Sequence, residues 1–378
     1  MKSRITINQA SSYNQDFYMR VAIIGTVGVP ANYGGFETLV EQLIRHSSQD
    51  DLQYAVYCSK KSYPEQQKVY QGAKLEYVNL QANGMQSIPY DILSLIKASR
   101  NSDVILVLGV SGCSFLPVYR LFSQKKLVIN IDGLEHRRDK WNKWVRKFLK
   151  YSESKAVKYA DVIVTDNKGI TDYVKDEYGK DSVLIAYGGD HVLQDVSDDF
   201  SNTTLKNYGL KANDYSMVLC RIEPENNVHT ILEAFSKTPD KTLIFIGNWG
   251  KSQYGQEMKD KYEDFPNIKI LPAIYDLKEL NVLRSNCEIY LHGHSAGGTN
   301  PSLVEAMFFE KPIIAFDCIY NRESTESKAA YFDSSENLVK IISNLDSSAL
   351  VTNAHNMFEI ANRRYRWEVI ARQYEALY

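Results

Sequence analysis

Short apolar runs alternate with longer amphipathic stretches along almost the whole chain. From Arg20 to about Asp190 the runs are "RVAIIG", "QYAVYC", "KLEYVNL", "DVILVLG", "KLVINI", "DVIVTD" and "SVLIAY". Unbroken runs of this length fit strands buried on both faces, so the rhythm predicts a parallel sheet covered by helices on both sides. Between Asp190 and Asp214 the sequence turns polar, as in "QDVSDDFSNTT", and the apolar periodicity fades. A second alternation follows through "YSMVLC", "KTLIFIG", "NIKILPA", "CEIYLH" and "KPIIAFD", which predicts a second doubly wound sheet. The end of the chain, "ANRRYRWEVIARQYEALY", sets Trp367, Ile370, Ala371, Tyr374 and Leu377 on one helical face. That face fits a helix crossing both domains and equally an ordinary terminal core helix.

The α/β organisation expected is therefore a polar, disordered extension over 1–18, a Rossmann-like domain over 19–195 and a linker over 196–213. A second Rossmann-like domain then covers 214–360, with a terminal crossing helix over 361–378. Met19, just before the first apolar run, is an alternative natural start. At 378 residues the chain exceeds one ordinary core and suits two. A net charge of −2 weighs against a general nucleic-acid binder, which needs a basic excess. The five cysteines lack metal-type spacing and fall mostly in apolar runs, which predicts buried thiols in a cytoplasmic protein without zinc. No stretch approaches about 18 apolar residues, so neither a membrane span nor a signal peptide is expected.

Two facing doubly wound domains put a cleft between the carboxyl ends of their sheets, and each chemically suggestive loop here follows a strand. The segment "LHGHSAGGTNPSLVEAMFFEKPIIAFD" reads as strand, glycine-rich loop, helix and strand, with Pro301 at a first helical position. Amides of such a loop converge on one spot and favour a diphosphate, with Glu305 one turn further to accept from a sugar hydroxyl. A glycine-rich turn with no ligand is the competing reading. The turn "GTVGVPANYGGFE" brings Gly34 and Gly35 before a helix, but it lacks G-x-G-x-x-G, and no acid ends the next strand, which argues against a nicotinamide enzyme. After "KLVINI" come Asp132, Glu135 and His136, and a carboxylate there either assists an acceptor hydroxyl or, as Asp132 or Asp139, caps a helix. In "LCRIEPENNVHTILEAF", Arg221 can fork onto phosphate oxygens beside Glu223 and Glu225, or form a plain surface ion pair.

Taken together, "RIEPENN", "GHSAGGTNPSLVEAM" with "KPIIAFD", and "RWEVIARQYEALY" resemble retaining glycosyltransferases of the GT-B fold, family 4. The likeness runs from Met19 to the end. The segments "GTVGVPANYGGFETLVEQL" and "DGLEHRRDKWNKW" are more narrowly similar to bacterial rhamnosyltransferases of cell-surface polysaccharides. That resemblance implies dTDP-L-rhamnose as donor and a lipid-pyrophosphate-linked sugar as acceptor, with no metal and no other cofactor. It implies a donor site made by Gly34, Gly35, Arg221, Asn226, Tyr275, Gly297, Gly298, Thr299, Asn300, Ser302, Leu303 and Glu305. Asp132, Glu135 and Glu223 are expected to position or assist the acceptor. Retention implies attack on the leaving-group face, the donor phosphate taking the proton.

Two positions depart from the family pattern. Asn226 stands where many members carry a lysine five residues after the arginine, and Gly297 stands eight residues before Glu305 where they carry a glutamate. Arg221, the loop amides, or another cation such as Lys311 must then neutralise the diphosphate. The same departures keep open a catalytically silent sugar-nucleotide-binding subunit, and a UDP- or GDP-sugar donor is the alternative within the activity.

From Arg137 to Lys158 nine Lys or Arg residues stand against Asp139 and Glu153. Trp141, Trp144, Val145, Phe148, Leu149 and Ser152 recur at helical spacing. With Arg137, Arg138 and Lys140 they form either a face for an anionic membrane and its lipid-linked acceptor, or a core-facing helix with a solvated basic side. The first reading puts the protein at the inner face of the cell membrane.

Overall fold

The computed structural model describes residues 18–31, 34–131, 133–137 and 142–378. Asp132, Arg138, Lys140, Trp141 and nearly all of the 1–18 extension therefore lie outside the described residues. In the first domain the strands are β1 (Met19–Ile24), β2 (Leu52–Ser59), β3 (Val69–Tyr70), β4 (Ala73–Val78), β5 (Val104–Leu108), β6 (Lys126–Ile131), β7 (Val162–Thr165) and β8 (Val183–Leu184). They form one sheet in the order β3-β4-β2-β1-β5-β6-β7-β8, parallel except for the β3–β4 pair. The second sheet holds β9 (Ser216–Leu219), β10 (Leu243–Ile246), β11 (Ile268–Leu271), β12 (Ile289–His292), β13 (Ile313–Phe316) and β14 (Ala330–Phe332). Its order is β11-β10-β9-β12-β13-β14, all parallel. Strand order reverses between β1 and β5 in one sheet and between β9 and β12 in the other, and these switch points are where open α/β sheets hold ligands.

Helices fill the crossovers. In the first domain they are α1 (Gly35–Arg45), α2 (Ser87–Asn101), α3 (Leu116–Tyr119), α4 (Lys143–Tyr159) and α5 (Lys168–Tyr178). The stretch in which periodicity fades contains a helix, α6 (Asp198–Asn207). Ser197 caps it by accepting from Phe200 N, Asp198 and Asp199 suit its positive end, and only Thr204 and Leu205 are buried. So narrow an apolar edge gives little periodic signal. Then come α7 (Val228–Ser236), α8 (Gln253–Tyr262), α9 (Leu277–Ser285), α10 (Pro301–Met307), α11 (Ile319–Ser324) and α12 (Ser335–Ser343).

The chain ends in two helices where the pattern predicts one over 361–378: α13 (Ser347–Arg364) and α14 (Trp367–Glu375). The break falls at Tyr365 and Arg366, where the Tyr365 hydroxyl donates to the Ser324 carbonyl and Arg366 turns extended. The break redirects α14 onto the first domain. Tyr374 meets the Asn130 side chain, and Glu375 accepts from Ser48 N at 2.9 Å and Ser48 Oγ at 2.6 Å. Trp367 packs edge-on against Tyr187, and one hydrophobic cluster runs from Val21 and Val56 through Tyr187 to Leu303, Met357 and Trp367. The terminal helix thus fixes the two sheets relative to each other through a shared apolar core.

Candidate functional site

The carboxyl ends of both sheets open on one cleft of about 1760 Å³. Gly34, Gly35, Glu135 and Arg137 line it from the first domain; Arg221, Glu223, Asn226, Tyr275, Gly297, Gly298, Thr299, Asn300, Ser302 and Glu305 line it from the second. Leu303 does not belong with them: it is fully buried in the shared core, and its backbone N–H donates to the Asn300 carbonyl. An apolar residue on the inner face of α10 packs against the sheet rather than a polar ligand. Tyr275, 63% exposed, stands at the mouth. Lys311 is elsewhere, donating to Asn213 Oδ1 at 2.8 Å, whereas Lys251 lines the cleft.

The loops after β9 and β12 are laced together. Asn226 Nδ2 donates to the Arg221 carbonyl at 2.8 Å, which turns its Oδ1 towards His294 Nδ1, also at 2.8 Å. Ser295 N and Oγ both donate to the Glu225 carbonyl at 2.9 Å. In place of a lysine, Asn226 therefore supplies a neutral clamp between the loops. The Arg221 guanidinium is partly exposed and only 4.0 Å from Glu225 Oε1, close enough to be oriented but still open to an anion. Burial pushes the neighbouring Cys220 thiol up to about 12, so it is no nucleophile at neutral pH. His292, on β12, is held down to about 3 by burial and then by His294, and stays neutral.

The glycine-rich loop is shaped from across the cleft. Gly297 has φ +80, and at Gly298 a Cβ would come within 2.1 Å of Asp166 Oδ1. Asp166, at the end of β7, accepts from Thr299 N at 2.9 Å, and Thr299 Oγ1 donates to the Asp166 carbonyl. One of the amides expected for a diphosphate is thus occupied by a carboxylate from the other domain. Asn300 caps α10 by accepting from Ser302 N at 3.1 Å and Ser302 Oγ at 2.9 Å. Glu305 pairs with the buried Arg284 of α9, and its other oxygen lies 3.6 Å from His191 Nε2.

The first-domain side is organised around Glu153 of α4. His136 Nδ1 lies 2.9 Å from Glu153 Oε2, and Glu153 also accepts from Tyr173 and Tyr178 at 2.6 Å. Burial alone would raise the Glu153 carboxyl, but these bonds outweigh it and hold the group below its ordinary value. Arg137 stacks over Tyr173 at 4.7 Å. Trp144, in the first turn of α4, is 79% exposed with Lys147 Nζ 5.4 Å from its ring centre, while Val145, Phe148 and Leu149 are half-buried and Ser152 is buried. Among the described residues no cluster of His, Cys, Asp or Glu could hold a metal ion.

Sequence reasoning missed Asp166, His191, Arg284 and His294. Asp166 carried a usable signal, an acid closing the apolar run "DVIVTD" at a strand's carboxyl end. Arg284 carried none, being a cation within an amphipathic helix.

Residues 203–348 match the family model described as Glycosyl transferases group 1, and residues 18–190 match a domain of unknown function, DUF1972. No curated protein matches the chain. Among solved structures, sucrose-phosphate synthase from Thermosynechococcus elongatus superposes with a TM-score of 0.77 at 16% identity, covering 95% of this chain and 98% of that one. HepE of Anabaena in complex with UDP-glucose gives 0.74 at 16%, covering 95% and 99%. A glycosyltransferase from Rickettsia africae gives 0.71 at 12%, covering 95% and 97%. The fold is GT-B. With the group 1 match over the second domain, it supports a glycosyltransferase.

Proposed function

We propose that the chain transfers L-rhamnose from dTDP-L-rhamnose, held by the second domain, to a lipid-pyrophosphate-linked sugar held by the first, with retention at the transferred carbon. The observation that carries the donor site is the convergence of Arg221, the Gly297–Gly298 loop and Glu305 at the β9/β12 switch point, across the cleft from Glu135. Arg221 and loop amides bind the diphosphate, and Glu305 accepts from the nucleotide's sugar. In the reaction the bond from C1 to the diphosphate oxygen breaks, the acceptor oxygen bonds C1 on the same face, and its proton passes to the departing phosphate. Charge grows on the diphosphate as that bond opens, and Arg221 meets it without a metal. Glu135, Glu223 and Asp132 position the acceptor.

A UDP-sugar donor is the second reading, favoured by the likeness to HepE solved with UDP-glucose. A silent nucleotide-binding subunit is the reading favoured by Asn226 and Gly297. A thermal-shift panel of dTDP-, UDP- and GDP-linked sugars, followed by release of nucleoside diphosphate with lipid-linked acceptors, separates the three. We expect dTDP-L-rhamnose to stabilise the protein and Arg221→Ala to remove that shift. Binding without turnover on any acceptor would favour the silent subunit, and absence of any shift would sink the donor site.

The acceptor's lipid carries the enzyme to the cytoplasmic face of the membrane, where exposed Trp144 and its flanking lysines meet anionic headgroups. Sedimentation with liposomes should then require anionic lipid and weaken several-fold in Trp144→Ser. Equal, negligible binding to neutral and anionic liposomes would remove this part.

A further inference from the structure

The short helix α3 ends in a turn whose apolar residues face water. Leu116 and Tyr119 point into the core of the first domain, while Val118, Leu121 and Phe122 on the other side are 49%, 84% and 56% exposed. The turn is well tied. Leu121 N and Phe122 N donate to the Val118 and Tyr119 carbonyls at 3.1 Å, and Phe122 packs edge-on against the Tyr119 ring at 5.4 Å. A contiguous apolar patch held in water on a hydrogen-bonded turn adds nothing to the core, so it suits a contact outside the chain.

This turn lies beside the last residues of α4. Arg120 joins the two, donating through Nε and Nη2 to the Tyr159 carbonyl and through Nη2 to Asp161 Oδ2 at 2.7 Å. Exposed Trp144 stands in the first turn of the same helix, roughly 22 Å from Tyr159 along an axis that rises about 1.5 Å per residue. Between them Lys147, Tyr151, Lys155 and Lys158 continue the spacing of three and four that keeps one helix face outward. Lysine ammonium groups lie over the rings, Lys147 at 5.4 Å from Trp144 and Lys155 at 4.7 Å from Tyr151. The one acid of α4, Glu153, is buried on the opposite side against His136, Tyr173 and Tyr178. Asp161 is paired with Arg120, and Asp103 with Arg20 and Lys125.

An apolar anchor at each end of a basic, aromatic stripe matches the layers of an anionic bilayer: cations at the phosphates, rings at the headgroup level, aliphatic side chains at the acyl boundary. We propose that Val118, Leu121 and Phe122 insert into an anionic phospholipid bilayer, and that α4 lies flat on that bilayer between this wedge and Trp144. The inference rests on the membrane reading above and adds to it a second insertion point and an orientation. Trp144 alone lets the first domain stand on the start of α4; two anchors lay its flank on the lipid. With the flank down, the part of the cleft lined by Glu135 and Arg137, which precede α4, opens at the membrane surface, where the pyrophosphate of a lipid-linked sugar lies. A second copy of the chain is a poorer occupant, because a two-fold contact brings this cationic stripe against itself.

Sedimentation of the full chain with liposomes of phosphatidylethanolamine and phosphatidylglycerol tests both parts. Leu121→Ser should bind about five- to tenfold more weakly, the loss expected for one aliphatic side chain kept from the acyl layer, while Leu121→Met should bind as the wild type does. Both should melt with the wild type, since position 121 is mostly in water. If Leu121→Ser does not fold, Val118→Ser should show a smaller loss of the same kind. Lys147→Glu and Lys158→Glu, near the two ends of the stripe, should each weaken binding about tenfold. Full binding by a folded Leu121→Ser would overturn the wedge, while a loss in Trp144→Ser alone would leave the membrane reading standing without it. A loss confined to Lys147→Glu would overturn the flat orientation. Absence of wild-type binding to these liposomes would instead defeat the membrane reading, and the wedge with it. Analytical ultracentrifugation completes the test: a dimer that Leu121→Ser dissociates would give the patch to a second copy and overturn the proposal.

Discussion

The turns after β1 and β12 both place glycines ahead of a helix at a switch point, yet they are held by different means. In the first, Glu37 folds back from α1 so that its Oε1 accepts from Thr26 Oγ1 at 2.9 Å and Val27 N at 2.8 Å. The other bonds to its described residues also come from the first domain, with Ser59 N donating to the Val27 carbonyl at 2.8 Å and the Tyr63 and Tyr90 hydroxyls to the Pro30 and Thr26 carbonyls at 2.9 Å. In the second, the loop leans on Asp166, which belongs to the other sheet. A loop that completes its own hydrogen bonds keeps its shape whatever the domains do, whereas one completed across the cleft responds to how the domains sit. The first turn is thus fixed within its own domain, and the second loop in part through the interface.

The glycines register the same contrast, and the larger effect is expected in the first turn. Gly34 has φ +141, a conformation L side chains rarely adopt, and a Cβ there would lie 1.8 Å from Glu37 Oε2. Gly34→Ala should therefore cost about 2–4 kcal/mol of stability, strain and a displaced carboxylate acting together. Chemical denaturation with and without nucleotide would measure it. We expect a lowered midpoint in both conditions, because the strain is present whether or not nucleotide is bound. A loss of affinity with stability intact would mean that the first turn serves the donor directly, and the contrast would break.

Much of this architecture is legible in the sequence because parallel strands buried on both faces must be apolar throughout. The runs named above coincide with strands in both sheets, and the loops at their carboxyl ends reach the cleft as doubly wound topology requires. Pairings set by tertiary distance are not legible. Arg284 sits 21 positions before Glu305 on a different helix, and no spacing rule links them. His191 Nδ1 is met by Trp367 Nε1, 176 residues away. The loop motif ending in Ser302 and Leu303 marks a region without resolving faces, so Leu303 reads as part of the site although α10 turns it into the core. The break between α13 and α14 is invisible for a similar reason: Tyr365 is buried by a contact with the Ser324 carbonyl that the local sequence does not encode.

Gly298 offers the smaller and more discriminating test. Its φ is not in the left-handed region, and the atoms nearest an added Cβ are those of the Asp166 carboxylate, the far end of a side chain. Gly298→Ala should push that carboxylate aside and forfeit its bond from Thr299 N, costing about 1–2 kcal/mol. In an Asp166→Ala background those nearest atoms are gone and the same substitution should cost less. The double-mutant cycle should then return a coupling of about 1 kcal/mol, readable from denaturation midpoints of the four proteins. The identical cycle between Gly34 and Glu37 should leave a large uncoupled residue, since removing Glu37 does not relieve a backbone at φ +141. Additive costs at Gly298 and Asp166 would mean that the loop holds its shape without the other domain, and the turn after β12 would then be as self-contained as the turn after β1.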